Sequence, residues 1–266
     1  MMSNCSDFWN ALAPFHAEIE DTNFDLASVR RLLPEIKPPV LIVGAGQGLI
    51  VAELRKCGYE CDGIDLNSEM IRQAKLRRGI SLIQADARAM SFAAASYETI
   101  IYATGVVDFT AEEDQIQAML TEGRRVVRTS GKIFVAFCKG SAAQEKFLAM
   151  VGLLSEGTLA LRESLEVYLL NPVQMIEWIT KRASLSRFRA TLALLRVSAL
   201  STMQEKRTTL RMQRVFRKIP NPRALINAAP EKLPYRNQRE IENLFKRLDI
   251  PIKQLSAFAS CWVFRI

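Results

Sequence analysis

A glycine-rich run and a later aspartate are the residues of this sequence best suited to bind a ligand. Gly44-Ala45-Gly46-Gln47-Gly48 directly follows the apolar run 40–43 and precedes a helical pattern. Glycines let backbone amides approach a ligand closely, and the amino end of a helix adds positive potential. Asp65 ends the next predicted strand, 21 residues after Gly44, where its carboxylate can accept both hydroxyls of a ribose. The combination favours a nucleotide-like ligand over the structural alternatives, which are a tight turn and a helix cap.

The spacing of the glycines discriminates between nucleotide-like ligands. A dinucleotide fingerprint places its third Gly or Ala three residues after the second Gly. Leu49 occupies that position here, because Gly48 comes one residue early. The loop is therefore a poorer match to NAD, and a dinucleotide is the second choice of ligand.

Regular alternation of strands and helices would position these residues. The strands are predicted at 40–43, 60–64, 80–84, 99–103 and 132–138, with helices at 49–56 and 68–78. Thr110-Ala111-Glu112-Glu113 has capping-box spacing and predicts a helix that continues to about Arg128. Strands that alternate with helices favour an α/β fold with a parallel sheet covered on both faces.

Several ordered motifs resemble the class I S-adenosylmethionine-dependent methyltransferases. Val40–Gly48 is similar to the first motif of that family, and Gly63–Asn67 followed by Met70-Ile71 is similar to its second. The further similar segments are Gln84–Ala87, Ser96–Ile101 and Arg125–Lys132, so the resemblance covers roughly residues 38–140. It implies a Rossmann-like, seven-stranded, mostly parallel sheet with helices on both faces and a helical insertion between strands 5 and 6.

The resemblance also implies a cofactor, S-adenosylmethionine, and roles for individual residues. Asp65 would hold the ribose, Leu66 and Ala87 would flank the adenine, and Asp86 would accept the adenine amino hydrogens. The expected cofactor-binding set is Gly44, Ala45, Gly46, Gly48, Asp65, Leu66, Asp86, Ala87 and Tyr102. The family often has an acid where this chain has Ile42. That departure keeps a non-catalytic, cofactor-binding protein open as an alternative.

Substrate-side candidates are fewer. Tyr102 lies at the end of the fourth predicted strand and Asp108 follows it, at the carboxyl edge where ligands of open α/β sheets bind, although strand-end packing and helix-entry capping explain them equally well. His16, the only histidine, follows Trp9 and Phe15 in the sequence and could belong with them to a flap over the cofactor. The candidate catalytic residues are therefore His16, Tyr102 and Asp108.

The chain divides into four predicted regions. They are a helical flap at 1–37, the cofactor-binding core at 38–140, a helical insertion at 141–238 and, at 239–266, a last helix with two terminal strands. The insertion shows helical periodicity and no convincing strand, and it is far longer than a crossover between parallel strands requires. We expect it to form a lid over the substrate.

Positive charge concentrates in the predicted insertion. The chain carries a net charge of +8, and residues 181–218 hold eleven basic residues against the single acid Glu205. Arg207, Arg211, Arg214 and Lys218 form one helical stripe, opposite Thr209, Met212, Phe216 and Ile219. Such a stripe can contact anionic lipid, RNA phosphates or an anionic substrate, or it can simply be solvated.

The composition argues against a metal-binding, a membrane-spanning or a secreted protein. Five irregularly spaced cysteines and one histidine predict no metal site. No apolar run is long enough to cross a membrane and no secretory signal is visible, so a cytoplasmic protein is expected.

The expected function is methyl transfer to a small apolar or amphiphilic metabolite. Ala103-Thr104-Gly105-Val106 stands where amino-methylating relatives have Asn or Asp, two prolines and an aromatic residue. An RNA methyltransferase that uses the basic insertion is the alternative. The residues expected to line a substrate pocket, or to form the core of the insertion instead, are Phe147, Leu148, Val151, Leu153, Leu154, Tyr168, Leu169, Met175 and Trp178.

Overall fold

The apolar run Val40–Val43 forms the first strand, β1, and all four of its residues are buried. Burial on both faces is typical of a parallel strand covered by helices. The computed structural model describes residues 3–19, 26–139, 142–155, 157–201, 203–257 and 261–266. The main sheet in these residues consists of β1, β2 (Cys61–Asp65), β3 (Ile83–Gln84), β4 (Tyr97–Tyr102), β5 (Val127–Cys138), β9 (Lys253–Ala257) and β10 (Cys261–Arg265).

The order of the strands is β3-β2-β1-β4-β5-β10-β9. The five strands from β3 to β5 are parallel, and β10 runs antiparallel to both β5 and β9. The strand order reverses direction between β1 and β4, which pair through Val43 and Tyr102. Ligands of open α/β sheets bind beyond the carboxyl ends of the strands at such a switch point. The predicted α/β, Rossmann-like fold class is confirmed.

Two hydrophobic clusters cover the two faces of this sheet. Val40 and Ile42 pack on one face, and Leu41 and Val43 pack on the other, because successive side chains of a strand alternate. The helices that accompany the sheet are α1 (Ser3–His16), α2 (Leu26–Leu32), α3 (Leu49–Lys56), α4 (Ser68–Arg78), α5 (Glu113–Val126) and α12 (Gln238–Arg247). Helices α2 and α3 contribute to the first cluster, and α5 and α12 contribute to the second.

The chain forms two units. One comprises Trp9–Lys139 and Arg236–Ile266, and the other comprises Met1–Phe8 and Gly140–Tyr235. The second unit contains α6 (Ala142–Met150), α7 (Leu161–Glu166), α8 (Pro172–Arg182), α9 (Arg187–Leu200), α10 (Met203–Lys218) and α11 (Pro222–Ala228). In the described ranges, no helix is both long and apolar enough to span a membrane.

Three local expectations are corrected. The predicted insertion is not purely helical, because β6 (Leu154–Ser155), β7 (Thr158–Ala160) and β8 (Lys232–Pro234) form a small antiparallel sheet. Thr110 does not cap a helix: its hydroxyl donates to the Val106 carbonyl at 2.8 Å, and α5 begins only at Glu113. The fifth strand starts at Val127 rather than Lys132, because the chain passes from α5 into β5 without a separate turn.

Candidate functional site

The glycine run forms the tight connection between β1 and α3. Gly44, Gly46 and Gly48 all have positive φ angles, 72°, 54° and 77°, in the left-handed region that favours glycine. Gly44 has a further constraint, because a Cβ built on it would lie 2.2 Å from Val106 Cγ2. Gly48 occupies the N-cap position of α3. The backbone here is therefore shaped in a way that residues with side chains cannot reproduce.

Asp65, at the end of β2, holds the glycine loop. Its Oδ2 accepts a hydrogen bond from the Gly46 amide at 2.7 Å, and its Oδ1 accepts one from the Asn67 amide at 2.9 Å. Burial raises the pKa of the Asp65 carboxyl from 3.8 to about 6, although these amide hydrogen bonds oppose the shift. The next residue, Leu66, is 56% exposed. A partly buried carboxylate with an exposed aliphatic side chain beside it suits the ribose and base of a nucleoside.

Asp86 follows the neighbouring strand β3, but its carboxylate already has a partner. Arg88 Nη2 lies 2.5 Å from Asp86 Oδ2, and Arg88 Nε donates to Oδ1 at 3.0 Å. Arg88 thereby lowers the pKa of the Asp86 carboxyl. Both side chains are partly exposed, and Ala87 between them is partly buried. An adenine amino group at Asp86 would share the carboxylate with Arg88.

The carboxyl-terminal part of α1 packs against the glycine loop. Gln47 Nε2 donates to the Ala13 carbonyl, and Asn67 Nδ2 donates to Asn10 Oδ1 at 3.0 Å. Trp9 stacks on Phe109, with ring centroids 6.1 Å apart. Trp9, Asn10 and Ala13 therefore contact the glycine loop and the residues that follow β2 and β4, and the flap over the cofactor stays a prediction. Asn10 and Phe109 are contacts that sequence reasoning missed, because nothing local marks residues that meet across such distances along the chain.

His16 faces this same loop. A Cβ built on Gly46 would lie 3.9 Å from His16 Cε1, and the imidazole meets the Trp9 ring edge-on at 5.9 Å between centroids. Its Nδ1 is buried and has no hydrogen-bond partner in the structure, which is unusual for a buried polar atom. Burial, and secondarily the charge of Arg78, lower the pKa of His16 from 6.5 to about 4. The ring is therefore neutral at physiological pH.

Tyr102 ends β4 at the carboxyl edge of the sheet, but its side chain lies in the core, which corrects its expected role in binding. Its side chain is fully buried, and its hydroxyl donates to the Met119 carbonyl of α5 at 2.5 Å. It fills the space over Gly123, where a Cβ would lie 2.5 Å from the hydroxyl oxygen. Burial raises the pKa of the phenol. The side chain belongs to the core between the sheet and α5.

Asp108 is likewise a buried structural group, which corrects its candidacy as a base. Oδ1 accepts from the Gly105 amide at 2.6 Å, and Oδ2 accepts from the Cys138 amide at 3.1 Å. Burial raises its pKa, and the hydrogen bonds from Cys138 oppose that shift. Arg236, which no sequence signal singled out, donates to the Thr110 and Asp108 carbonyls at 2.9 and 3.3 Å. Together these groups hold the loop after β4.

The apolar residues expected to line a substrate pocket mostly form the core of the second unit. Six of the nine, Phe147, Leu148, Val151, Leu153, Met175 and Trp178, belong to one cluster there. Tyr168 packs on Phe216, with ring centroids 5.7 Å apart. The alternative stated from the sequence, that these residues pack among themselves, therefore accounts for most of the set.

The basic stripe lies on α10 as its spacing predicts. Arg207, Arg214 and Lys218 are exposed and Arg211 is partly exposed, whereas Phe216 and Ile219 on the other side are buried. Among the described residues, no cluster of three or more His, Cys, Asp or Glu side chains is arranged to hold a metal ion.

The first unit fits the nucleoside that the glycine loop suggested. Asp65 accepts from the amides of Gly46, Asn67 and Leu66, its remaining lone-pair capacity is open to hydroxyl donors, and the Leu66 side chain offers an apolar surface beside it. Directly at the loop, His16 Nδ1 and Gln47 Oε1 are two buried polar atoms that lack a partner in the structure. Buried polar atoms without partners are expected where a ligand supplies the missing hydrogen bonds.

Comparison with solved structures shows the fold. A Rhodobacter sphaeroides protein named provisionally as a Zn-dependent alcohol dehydrogenase is 10% identical, with a TM-score of 0.59 over 100% of this chain and 98% of that one. A Haloferax volcanii complex that contains the Trm112 methyltransferase activator is 20% identical, with a TM-score of 0.42 over 50% of this chain and 59% of that one.

A third solved structure is the glycopeptide N-methyltransferase MtfA complexed with S-adenosyl-L-methionine. It is 19% identical, with a TM-score of 0.38 over 43% of this chain and 55% of that one. This chain therefore spans little more than half the length of the Haloferax and MtfA chains. No curated protein sequence matches it.

A family model supplies the assignment. The model described as a methyltransferase domain matches residues 40–131, a range that runs from β1 through the glycine loop and Asp65 to within β5. Together with the parallel, Rossmann-like strand order, this match supports S-adenosylmethionine as the cofactor. Residues 40–131 of this chain therefore match a methyltransferase domain.

Proposed function

We propose that the whole chain transfers the methyl group of S-adenosylmethionine to a small apolar or amphiphilic metabolite. The observation that carries the proposal is the Asp65 carboxylate, which is fixed to the glycine loop by the Gly46 amide at 2.7 Å and adjoins the exposed Leu66. The cofactor, when bound, supplies an electrophilic methyl group on a sulfonium. Such a displacement requires binding and alignment more than covalent participation of the protein.

The nucleoside half of the cofactor is assigned to three segments. Asp65 accepts hydrogen bonds from the ribose hydroxyls, and Leu66 and Ala87 flank the base. Asp86 accepts from the adenine amino group while it remains paired with Arg88. The partial exposure of Asp86 and Arg88 supports this sharing, since both side chains can adjust to a ligand.

The methionyl half is assigned to the glycine loop and to α1. The glycines leave room for it, and His16 offers Nδ1 to one of its polar groups. The contacts of Gln47 with Ala13 and of Asn67 with Asn10 hold α1 over the loop, where the helix excludes water. The family that this chain resembles often has an acid at the position of Ile42, where it supports the contact to the cofactor amino group. Ile42 is a buried aliphatic residue of β1 and cannot accept a hydrogen bond. Another group is therefore needed to contact the cofactor amino group here.

The choice of a metabolite over RNA rests on the residues after β4 and on the basic stripe. Residues 103–106 read Ala-Thr-Gly-Val and lack the amino-methylating signature. No aromatic residue lies on the charged stripe of Arg207, Arg211, Arg214 and Lys218. Proteins that bind single strands usually combine phosphate contacts with aromatic side chains on which bases stack. Because Tyr102 and Asp108 are engaged in structural hydrogen bonds, the acceptor needs to be nucleophilic without help from them.

The test is transfer of label from methyl-tritiated S-adenosylmethionine to fractionated cell extract. We expect label in the small-molecule fraction, lost in Asp65→Asn and retained in Tyr102→Phe, which removes one core hydrogen bond and touches no proposed contact. Label that appears in RNA would favour the alternative substrate. Cofactor binding without label in any fraction would favour the non-catalytic alternative.

A further inference from the structure

Helix α9 carries an exposed apolar stripe. Phe188, Leu192 and Leu195 recur at i, i+4 and i+7 and are 73%, 49% and 60% exposed. The opposite side of α9 is anchored, because Ala190 is buried and Leu194 packs in the apolar cluster of the second unit. The helix is therefore apolar on two faces, only one of which the unit itself uses.

The exposed apolar residues are concentrated in one part of the chain. Among the described residues, eleven large apolar side chains are exposed, and eight of them fall between residues 140 and 235. They are Met150, Leu169, Val173, Phe188, Leu192, Leu195, Leu200 and Leu210. Single exposed apolar residues are ordinary, but several on one helix face, as Phe188, Leu192 and Leu195 are, indicate an interaction surface.

The same part of the chain carries the positive charge. Residues 140–235 contain 15 Lys and Arg against seven Asp and Glu, a net charge of +8 that equals the net charge of the whole chain. Arg189 and Arg196 lie beside the stripe on α9, Arg189 at its amino end and Arg196 next to Leu195. No acid occurs in the sequence between Glu177 and Glu205. Glu177 of α8 pairs with Arg187 of α9 at 3.3 Å, whereas Arg189 and Arg196 beside the stripe are both exposed, so the stripe itself is flanked by positive charge.

We propose that α9 docks on the surface of a lipid bilayer that contains anionic headgroups. Phe188, Leu192 and Leu195 enter the boundary between headgroups and acyl chains, and Arg189 and Arg196 contact the phosphates. One side of α9 is held in the core of its unit, and the exposed side offers an apolar stripe flanked by arginines, which suits the boundary of an anionic bilayer because binding there grows with buried apolar area and with attraction to anionic lipid. RNA would satisfy the arginines but leave the aliphatic side chains in water, and a second copy would bring two units of net charge +8 together. The inference does not rest on the proposed methyl transfer.

The experiment is co-sedimentation of the full chain with vesicles. We expect binding to vesicles of phosphatidylglycerol and phosphatidylcholine, and at least tenfold weaker binding to vesicles of phosphatidylcholine alone. The triple variant Phe188→Ser, Leu192→Ser, Leu195→Ser should bind anionic vesicles at least tenfold more weakly than the native chain. The matched control is Leu76→Ser, a side chain 66% exposed on α4, which should bind like the native chain.

Two further measurements keep the result interpretable. Calorimetry with S-adenosylhomocysteine should give the same affinity for the triple variant as for the native chain, which would show that the first unit remains folded, and circular dichroism should show unchanged helix content. The double variant Arg189→Glu, Arg196→Glu should lose the preference for anionic vesicles. Native-level vesicle binding by the triple variant would overturn the proposal. So would tight binding of generic RNA without vesicle binding, or a dimer that the triple variant dissociates.

Discussion

Replacing Asp65 by Asn separates the contribution of this residue to folding from its contribution to binding. Burial raises the pKa of its carboxyl from 3.8 to about 6. At pH 7.5 the carboxyl is ionised in both the folded and the unfolded chain, so its burial lowers the free energy of unfolding by about 3 kcal/mol. Asparagine removes that cost. Its amide group, however, can accept from only one of the Gly46 and Asn67 amides and leaves the other unpaired, which costs about 1–3 kcal/mol.

These two effects oppose each other. We therefore expect the free energy of unfolding of Asp65→Asn to stay within about 2 kcal/mol of the native value. Cofactor binding has no such compensation, because a ribose hydroxyl loses a hydrogen bond to a charged group worth about 1.5–3 kcal/mol. The affinity for S-adenosylhomocysteine should fall by about 10- to 150-fold.

The assay combines urea unfolding with isothermal titration calorimetry at pH 7.5. We expect a large change in affinity with a small change in stability. Unchanged affinity would remove Asp65 from the binding site. A loss of stability above about 4 kcal/mol would show that the residue acts mainly in folding, and that its two amide contacts outweigh the burial of its charge.

Three further predictions concern the same unit. The affinity for S-adenosylhomocysteine should fall about tenfold between pH 7 and pH 5, because binding requires the ionised Asp65 carboxylate and that group is protonated near pH 6. Calorimetry of Asp65→Asn should show no such fall. Gly44→Ala should lower the free energy of unfolding, measured in urea, by about 2–4 kcal/mol. The backbone at Gly44 is left-handed, and an added Cβ would lie 2.2 Å from Val106 Cγ2. A second substitution in the same chain, Val106→Ala, should restore part of the loss. Asp108→Asn removes the cost of a buried charge but leaves one of its two amide donors without an acceptor, so the free energy of unfolding should stay within about 3 kcal/mol of the native value. The cofactor affinity should stay within about threefold, and a larger loss of affinity would return Asp108 to the site.

The glycine loop and Asp65 could be predicted because their signal is local. A buried strand, positive-φ glycines, a helix and an acid at the end of the next strand follow one another in a fixed order, and the parallel register of β1 and β2 then brings them together. The hydrogen bond from Gly46 to Asp65 is a consequence of that order. The parallel α/β character of the sheet is confirmed for the same reason, since the connections between its first strands are short.

The position of Tyr102 at the end of a strand does not by itself predict on which face of the sheet its side chain lies. It shares a face of β4 with Ile100, and that face packs on α5. Two signals pointed there: the alternation along the strand and the small residue Gly123 on the facing helix, which leaves room for the phenol. Long-range polar contacts gave no signal of this kind. Arg236 reaches Thr110 across 126 residues, and only the folded chain brings them together.

The small sheet of the second unit escaped detection because its strands are too short. β6 has two residues and β7 and β8 have three each, which is less than a period-two pattern needs to be recognised. The expectation that residues 141–238 form a lid over the substrate stays a prediction.

The most direct test of the central claim is a calorimetric titration of the full chain with S-adenosylhomocysteine, with a matched titration of NAD. The geometry of the glycine loop and Asp65 predicts saturable binding of S-adenosylhomocysteine at one site per chain, and weaker binding of NAD. Saturable binding of NAD with no binding of S-adenosylhomocysteine would contradict the assignment, because both ligands carry a ribose that Asp65 could hold and only the glycine spacing separates them.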